Sequence, residues 1–331
     1  MDFCKDKIAI IHHNDGDGIC SAAIFALTLK KLENFPVLIH APEHVDIEAD
    51  TKKKIADSRA THVVILDIPI ERLENIGMPT LIIDHHPRTK RIELDGEIHH
   101  ITTNCASYLT YEFCKQITDI EDLSWIAAIG CLSDKDNEGF EKLAPLVEKT
   151  SSLDRNILQK MMGFISSAKV LGSEGIACGV NALVEASTMG IETAVLGSTP
   201  NAQKLKELRF MSRKERDYWL LFHKDYALIK DKMIYYKIRS RLPIQSYLAG
   251  TLSNFYPSHV CFVTNDNTVN EFRTIECRTK LEGINLGQML RHIAEELGGS
   301  GGGLDYAAGT KIPAAKEAEF IKKCEELTKD I

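Results

Sequence analysis

Three short apolar runs that each break off at an acid or a histidine constrain this chain more than anything else in it. Leu81-Ile82-Ile83 runs into Asp84-His85-His86-Pro87, Ile8-Ala9-Ile10-Ile11 into His12-His13-Asn14-Asp15-Gly16-Asp17-Gly18, and Val63-Val64-Ile65-Leu66 into Asp67. Such runs, bounded by turn residues, have the pattern of buried strands in an α/β sheet. The polar residues then lie at the C-terminal edge of the strands, where open α/β sheets place their ligands.

Carboxylates gathered at one edge repel one another, so they must hold protons or share cations. Oxygen and imidazole donors without paired thiols suit Mn²⁺, Mg²⁺, Fe²⁺ or Zn²⁺, and a carboxylate able to bridge two ions points to a two-metal hydrolase. The plain alternative is that each acid caps a helix or turn, as Asp and Asn often do. Three strands with the same kind of ending favour the metal.

The chain has 331 residues, enough for two domains. Its net charge of -7 excludes a protein that coats nucleic acid by global attraction and leaves room for a restricted, metal-assisted contact. Nine cysteines, at 4, 20, 105, 114, 131, 178, 261, 277 and 324, form no Cys-x-x-Cys pair, which excludes both a zinc ribbon and a secreted disulfide framework. No stretch approaches membrane-spanning length, so a reduced, cytoplasmic setting and no membrane partner are expected.

Strand and helix alternate from the N-terminus: a helix over Ile19 to Leu32, a strand at Pro36 to Ile39, weak helical character over Asp46 to Ser58, a segment at Glu71 to Asn75, and a further strand at Ile98 to Ile101. This alternation predicts a doubly wound parallel sheet. Helices follow over Ala106 to Gln116 and Ser124 to Leu132, and the latter stops at Ser133-Asp134-Lys135-Asp136-Asn137. Acids at the negative end of a helix dipole are unfavourable, and a metal at Asp134 would remove the conflict. An exposed acidic loop is the competing reading, and it suits Asp136 better.

Residues Asn156 to Val195 read as apolar helices without a site, and Asn201 to Leu221 as one charged helix bridging two domains, whose cations could track a phosphate backbone but more simply form a solvated face. The expected division is 1–196, a helical linker 197–228, and a smaller α/β domain 229–331. The last contains strands at Met233 to Ile238, Val260 to Thr264 and Phe272 to Cys277, and helices at Ser246 to Asn254 and Leu286 to Leu297. It ends in Gly298-Gly299-Ser300-Gly301-Gly302-Gly303-Leu304-Asp305-Tyr306-Ala307-Ala308-Gly309, where dense glycines let backbone N–H groups approach a phosphate or carboxylate.

The pattern resembles the DHH phosphoesterase superfamily, whose naming triplet is Asp84-His85-His86 here. His13-Asn14-Asp15-Gly16-Asp17-Gly18 matches its His-x-Asp-x-Asp-Gly motif, Asp67 its strand-end acid, and Gly130 with Asp134 its fourth motif. The C-terminal part resembles the associated DHHA1 domain through Gly301, Gly302, Gly303 and Ala307-Ala308-Gly309, with Leu304 where that motif carries a histidine. The resemblance is strongest to RecJ-like archaeal nucleases.

The resemblance implies two divalent ions, Mn²⁺ foremost, one held by His13, Asp15 and Asp67 and the other by Asp17, Asp67, His85 and Asp134. It implies catalytic roles for His86 at the scissile phosphate and Asp84 behind it, and phosphate contacts from Arg278 and the Gly301 to Gly303 backbone. The implied activity is an exonuclease that releases mononucleotides from single-stranded DNA or RNA entering between the domains. The rivals are a nanoRNase or cyclic-dinucleotide phosphodiesterase, and a docking protein for a GINS-like replication partner.

Overall fold

The computed structural model describes residues 1–42, 47, 49–69, 76–87, 96–190, 197–266 and 271–329, and the chain divides into two compact units, Met1–Arg209 and Phe210–Ile331. The Glu71 to Asn75 segment lies outside the described residues.

In the first unit β1 (Ile8–His12), β2 (Leu38–His40), β3 (His62–Leu66), β4 (Thr80–Asp84) and β5 (Gly96–His100) pair in parallel in the order β2-β1-β3-β4-β5. This is a doubly wound order in which the connections change direction between β1 and β3, the place where such sheets open a crevice. The register sets His12 against Leu66 and Leu66 against Ile83. The next residue of each strand or its following loop, His13, Asp67 and Asp84, therefore emerges at one level.

Helices α1 (Gly16–Lys31), α2 (Ala49–Asp57), α3 (Ala106–Lys115) and α4 (Ser124–Asp134) cover the two faces. Ile8, Ile10, Val64, Leu66, Leu81 and Ile83 belong to one core with α1, α3 and α4, while Ala9, Ile11, Val63, Ile65 and Ile82 form another with Ile47 and with Ile55 from helix α2. Each large aliphatic side chain so buried contributes about 1.5–3 kcal/mol. That burial on both faces fixes the strand ends against the repulsion of the acids they carry.

Two boundaries differ from the sequence pattern in ways that matter. Helix α1 begins at Gly16, inside the acidic motif, because Asp15 caps it by accepting hydrogen bonds from the backbone of Asp17 and Gly18. Helix α4 continues to Asp134 and stops at Lys135, whose φ of 63° is left-handed. Beyond it lie α5 (Asn137–Ser151), α6 (Arg155–Ile165), a 3₁₀ turn (Ser166–Leu171), α7 (Gly172–Met189) and α8 (Pro200–Leu221), within which the two units divide.

The second unit holds α9 (His223–Tyr226), α10 (Gln245–Phe255), α11 (Leu286–Glu296) and α12 (Glu317–Lys329) around a mixed sheet. Its strands are β6 (Ala227–Lys230), β7 (Met233–Ile238), β8 (Val260–Asn265), β9 (Phe272–Thr279), β10 (Ser300–Gly303) and β11 (Ala307–Pro313), in the order β10-β11-β9-β8-β7-β6. The glycine run is thus an edge strand. Its glycines let α11 come close, since a Cβ on Gly301 would lie 2.7 Å from the Leu290 carbonyl oxygen. Gly303, at φ 143°, also occupies backbone space that other residues avoid.

Candidate metal centre

Three strand ends and three helix termini build the site. From the loop after β1, His13 Nδ1 lies 3.0 Å from Asp15 Oδ2 and 3.4 Å from Asp67 Oδ2. Asp67, one residue past β3, is held by a backbone bond to the Ile83 carbonyl and adopts φ 61°, a left-handed conformation that Asp tolerates better than most residues. From the loop after β4, His85 Nε2 lies 3.3 Å from Asp67 Oδ1 and 4.0 Å from Asp17 Oδ2, while its Nδ1 is 3.9 Å from Asp134 Oδ2.

These contacts separate into two sets. His13, Asp15 and Asp67 form one, and Asp17, His85 and Asp134 another, with the donor atoms of each within 4.8 Å of one another. Asp67 also groups with His85 and His86, and so stands between the sets. The structure thus brings together all six residues expected as metal ligands.

Helix ends fix the acids. Asp17 directs both carboxylate oxygens at the start of α3, accepting from the backbone N–H of Ala106 at 2.8 Å and of Ser107 at 2.9 Å. Capping and the cluster are therefore compatible, because each oxygen retains a second lone pair. Gly130 is what allows α4 this close: a Cβ there would meet Ser107 Oγ at 2.0 Å and Asp17 Oδ1 at 3.0 Å. Asp136 has a purely structural set of partners, capping α5 through Gly139 and accepting from Cys105 N and Asn104.

The electrostatics show what the site lacks. Burial pushes the Asp17 carboxyl well up, and the charges of Asp67 and Asp15 add to the effect. Burial likewise raises Asp134. Burial would lower His13, but its contacts with Asp15 and Asp67 prevail and raise it to about 10, and His85 rises through Asp67 in the same way. Burial would raise Asp15, yet His13 holds it below the ordinary carboxylate range. Without a cation, the cluster has to recruit protons.

The hydrogen-bond geometry fits divalent ions better than protons. His13 Nδ1 and Asp67 Oδ1 are buried and make no well-formed hydrogen bond, despite the short distances around them. They converge without pairing, which is how ligands to a common ion behave. Mixed carboxylate and imidazole donors suit Mn²⁺ or Mg²⁺.

Asp84 and His86 are placed differently. Asp84, fully buried at the end of β4, accepts from His86 Nδ1 at 2.7 Å and so orients that ring, while its second oxygen has no hydrogen-bond partner among the described residues. His100 at the end of β5 donates from Nε2 to the His86 carbonyl at 2.6 Å and steadies the loop. No role for His100 was expected from the sequence, although β5 is another strand that ends in histidines. His99 instead packs edge-on to Phe113.

Arg278 and Gly301 to Gly303 belong to the second unit. The Arg278 guanidinium is bound to Ser246 Oγ at 2.7 Å and to the Cys277 carbonyl at 2.8 Å. Leu304 is exposed.

Parallel order, a crevice at the strand ends and donor sets sharing one carboxylate define the class, an α/β protein built around a cluster suited to two divalent ions. A model described as the DHH family, N-terminal domain, matches residues 7–132, and one described as the DHHA1 domain matches residues 233–330. The chain thus combines a DHH-family N-terminal domain with a DHHA1 domain at its C-terminal side, the make-up of a metal-dependent phosphoesterase.

Among solved structures it is similar to an exonuclease RecJ bound to manganese, at 15% identity and a TM-score of 0.72, covering 98% of this chain and 91% of that one. RecJ from Thermus thermophilus in complex with Mn²⁺ matches at 15% identity and a TM-score of 0.73, with 98% of this chain covering 52% of that chain. The pGpG-specific phosphodiesterase PggH from Vibrio cholerae matches at 16% identity and a TM-score of 0.54, covering 98% and 99%. At these identities the likeness is one of fold. No curated protein matches the sequence. Among the described residues no helix is long and apolar enough to cross a membrane.

Proposed function

We propose that the chain is a Mn²⁺-dependent exonuclease of RecJ type that hydrolyses single-stranded DNA or RNA to mononucleotides. The observation that carries this is the pair of donor sets meeting at Asp67. Two divalent ions held there would supply Lewis acidity to the phosphodiester and activate its nucleophile. His13, Asp15 and Asp67 would hold one, and Asp17, Asp67, His85 and Asp134 the other.

The protein's own part is positioning. Asp84 fixes the His86 ring through Nδ1, leaving Nε2 as the nitrogen available to a phosphate oxygen. His100 holds the backbone of the same residue, so the ring keeps one orientation. In the second unit Arg278 and the Gly301 to Gly303 backbone would hold a further phosphate of the substrate.

A phosphodiesterase acting on dinucleotides is the second reading. It is favoured by the near-complete mutual coverage with the pGpG enzyme. The test is hydrolysis of end-labelled single strands from dinucleotide to long oligomer, with Mn²⁺ and with chelator, alongside Asp84→Ala. Progressive shortening of long strands supports the exonuclease, cleavage confined to dinucleotides supports the second reading, and no Mn²⁺-dependent cleavage overturns both.

A further inference from the structure

A second concavity opens at the same sheet edge, on the other side of β1. It is a cavity of about 200 Å³ between the ends of β1 and β2 and the start of α7, with His12, His40, Ser173, Ala177 and Asn181 among its lining. At about 30 Å³ per water that space holds roughly six or seven waters. It suits one planar ring system better than a drug-sized ligand.

The cavity's chemistry is set by His12, which is 1% exposed. Its Nδ1 lies 2.8 Å from the carbonyl oxygen of His13. A carbonyl only accepts, so Nδ1 carries the proton and Nε2 of the neutral ring is an acceptor. Among the described residues nothing in the protein hydrogen-bonds to that Nε2. His12 lines the cavity, so a ligand N–H there can take the place of water at that acceptor. Ser173, Ala177 and Asn181 follow at four-residue intervals along the exposed side of α7, while Ile176 and Val180 beside them make the rest of that wall apolar.

Cavity and cluster are continuous along the chain. His12 closes β1 and the cluster residue His13 follows it in the loop. On the far side, the 3₁₀ turn before α7 places Ser166 Oγ 3.6 Å from a Cβ built on Gly16 and brings the Lys169 charge to bear on Asp15 before Ser173 reaches the cavity.

We propose that this cavity is a nucleobase subsite, which receives the base of one nucleotide flanking the scissile phosphate and accepts a hydrogen bond from its exocyclic amino group at His12 Nε2. The subsite rests on the phosphoesterase reading of the cluster and gives it a base preference. The enzyme then distinguishes substrates by a contact remote from the reacting phosphorus.

Four Mn²⁺-dependent turnover assays test it, with bis-p-nitrophenyl phosphate, the adenine dinucleotide, its analogues with one abasic residue, and its analogues with one unsubstituted purine. Removing the base, or only its amino group, at one of the two positions should lower kcat/KM at least about tenfold. Ala177→Phe, which fills the cavity from the exposed side of α7, and His12→Phe, which removes the acceptor, should each bring the adenine-to-abasic ratio towards one, chiefly through KM. If the wild-type enzyme hydrolyses bis-p-nitrophenyl phosphate but tolerates abasic residues at both positions, the subsite is wrong and the metal centre stands. If no substrate is hydrolysed with Mn²⁺, the phosphoesterase reading fails first and the subsite with it.

Discussion

The cluster at the β1, β3 and β4 ends and the glycine-rich edge of the second unit were both legible as motifs, yet they are built on opposite principles. In the cluster, His13 Nδ1, Asp67 Oδ1 and Asp84 Oδ2 are buried without a well-formed hydrogen bond. At the other site the protein already satisfies the expected ligand-binding groups: Arg278 bonds Ser246 and the Cys277 carbonyl, and the glycines make room for α11. Buried polar groups left unpaired are costly and persist where something else completes them. The donors of the first region therefore fit a shared ion, and the second region carries a structural reason for its residues that needs no ligand.

The comparison breaks most readily at Asp67. Asp67→Asn keeps the size of the side chain and removes the charge shared by both donor sets. A drop of at least about 1000-fold in kcat, equivalent to roughly 4 kcal/mol, is expected with bis-p-nitrophenyl phosphate and Mn²⁺. Activity within tenfold of the wild type would show that the cluster is not the reaction centre. Asp84→Asn is the milder case, because it leaves every proposed ligand in place and loosens the His86 ring. A loss of about 10–100-fold is expected, with the stoichiometry of bound Mn²⁺ retained in equilibrium dialysis. Loss of Mn²⁺ binding would make Asp84 a ligand.

How far the sequence reached follows the same division. The strand ends were readable because apolar runs of β-branched residues break off at charged ones, and a parallel sheet converts that pattern into a level edge. Asp134 remained open because a dipole argument cannot tell a metal ligand from a solvated acid. The structure distinguishes them by setting Asp134 beside His85 and giving Asp136 to backbone amides. Strand β6 began inside the expected helical linker, whereas β10 and β11 were missed since their glycines and alanines carry no side-chain periodicity, and β11 pairs with distant residues such as Arg278 opposite Ala307. The cations of α8 are partly engaged within each unit, Arg209 over the Phe164 ring and Arg216 over that of Tyr247, contacts that a charge count does not reveal.

Metal binding should carry a pH dependence with a defined sign. Burial alone would depress His13, but Asp15 and Asp67 raise it to about 10 in the metal-free protein, so at neutral pH the ring is protonated and must release its proton to become a ligand. Below that pKa protons compete with the ion, and His85, also raised, adds to the competition. The apparent affinity for Mn²⁺ should fall about tenfold or more for each unit of pH between 8 and 6. Calorimetry in buffers of different ionisation enthalpy should show proton release. An affinity independent of pH would mean that the imidazoles stay outside the coordination sphere.

The smallest effect is expected where the protein has already paired its groups. Arg278→Ala removes charge-assisted bonds to Ser246 and the Cys277 carbonyl from a partly exposed residue, so the second unit should lose about 1–2 kcal/mol in denaturant unfolding. A purely structural Arg278 would then leave the ratio of kcat/KM between a trinucleotide and a dinucleotide as in the wild type. A phosphate-binding Arg278 would lower that ratio several-fold, because only the longer substrate offers it an additional phosphate. Ser246→Ala sharpens the result: it frees one side of the guanidinium while leaving its charge, so it should share the stability loss of Arg278→Ala in part and none of its effect on substrate length. If Ser246→Ala instead matches Arg278→Ala in both measurements, the hydrogen bond sets the arginine's geometry for the phosphate, and the two regions differ less than their pairing implies.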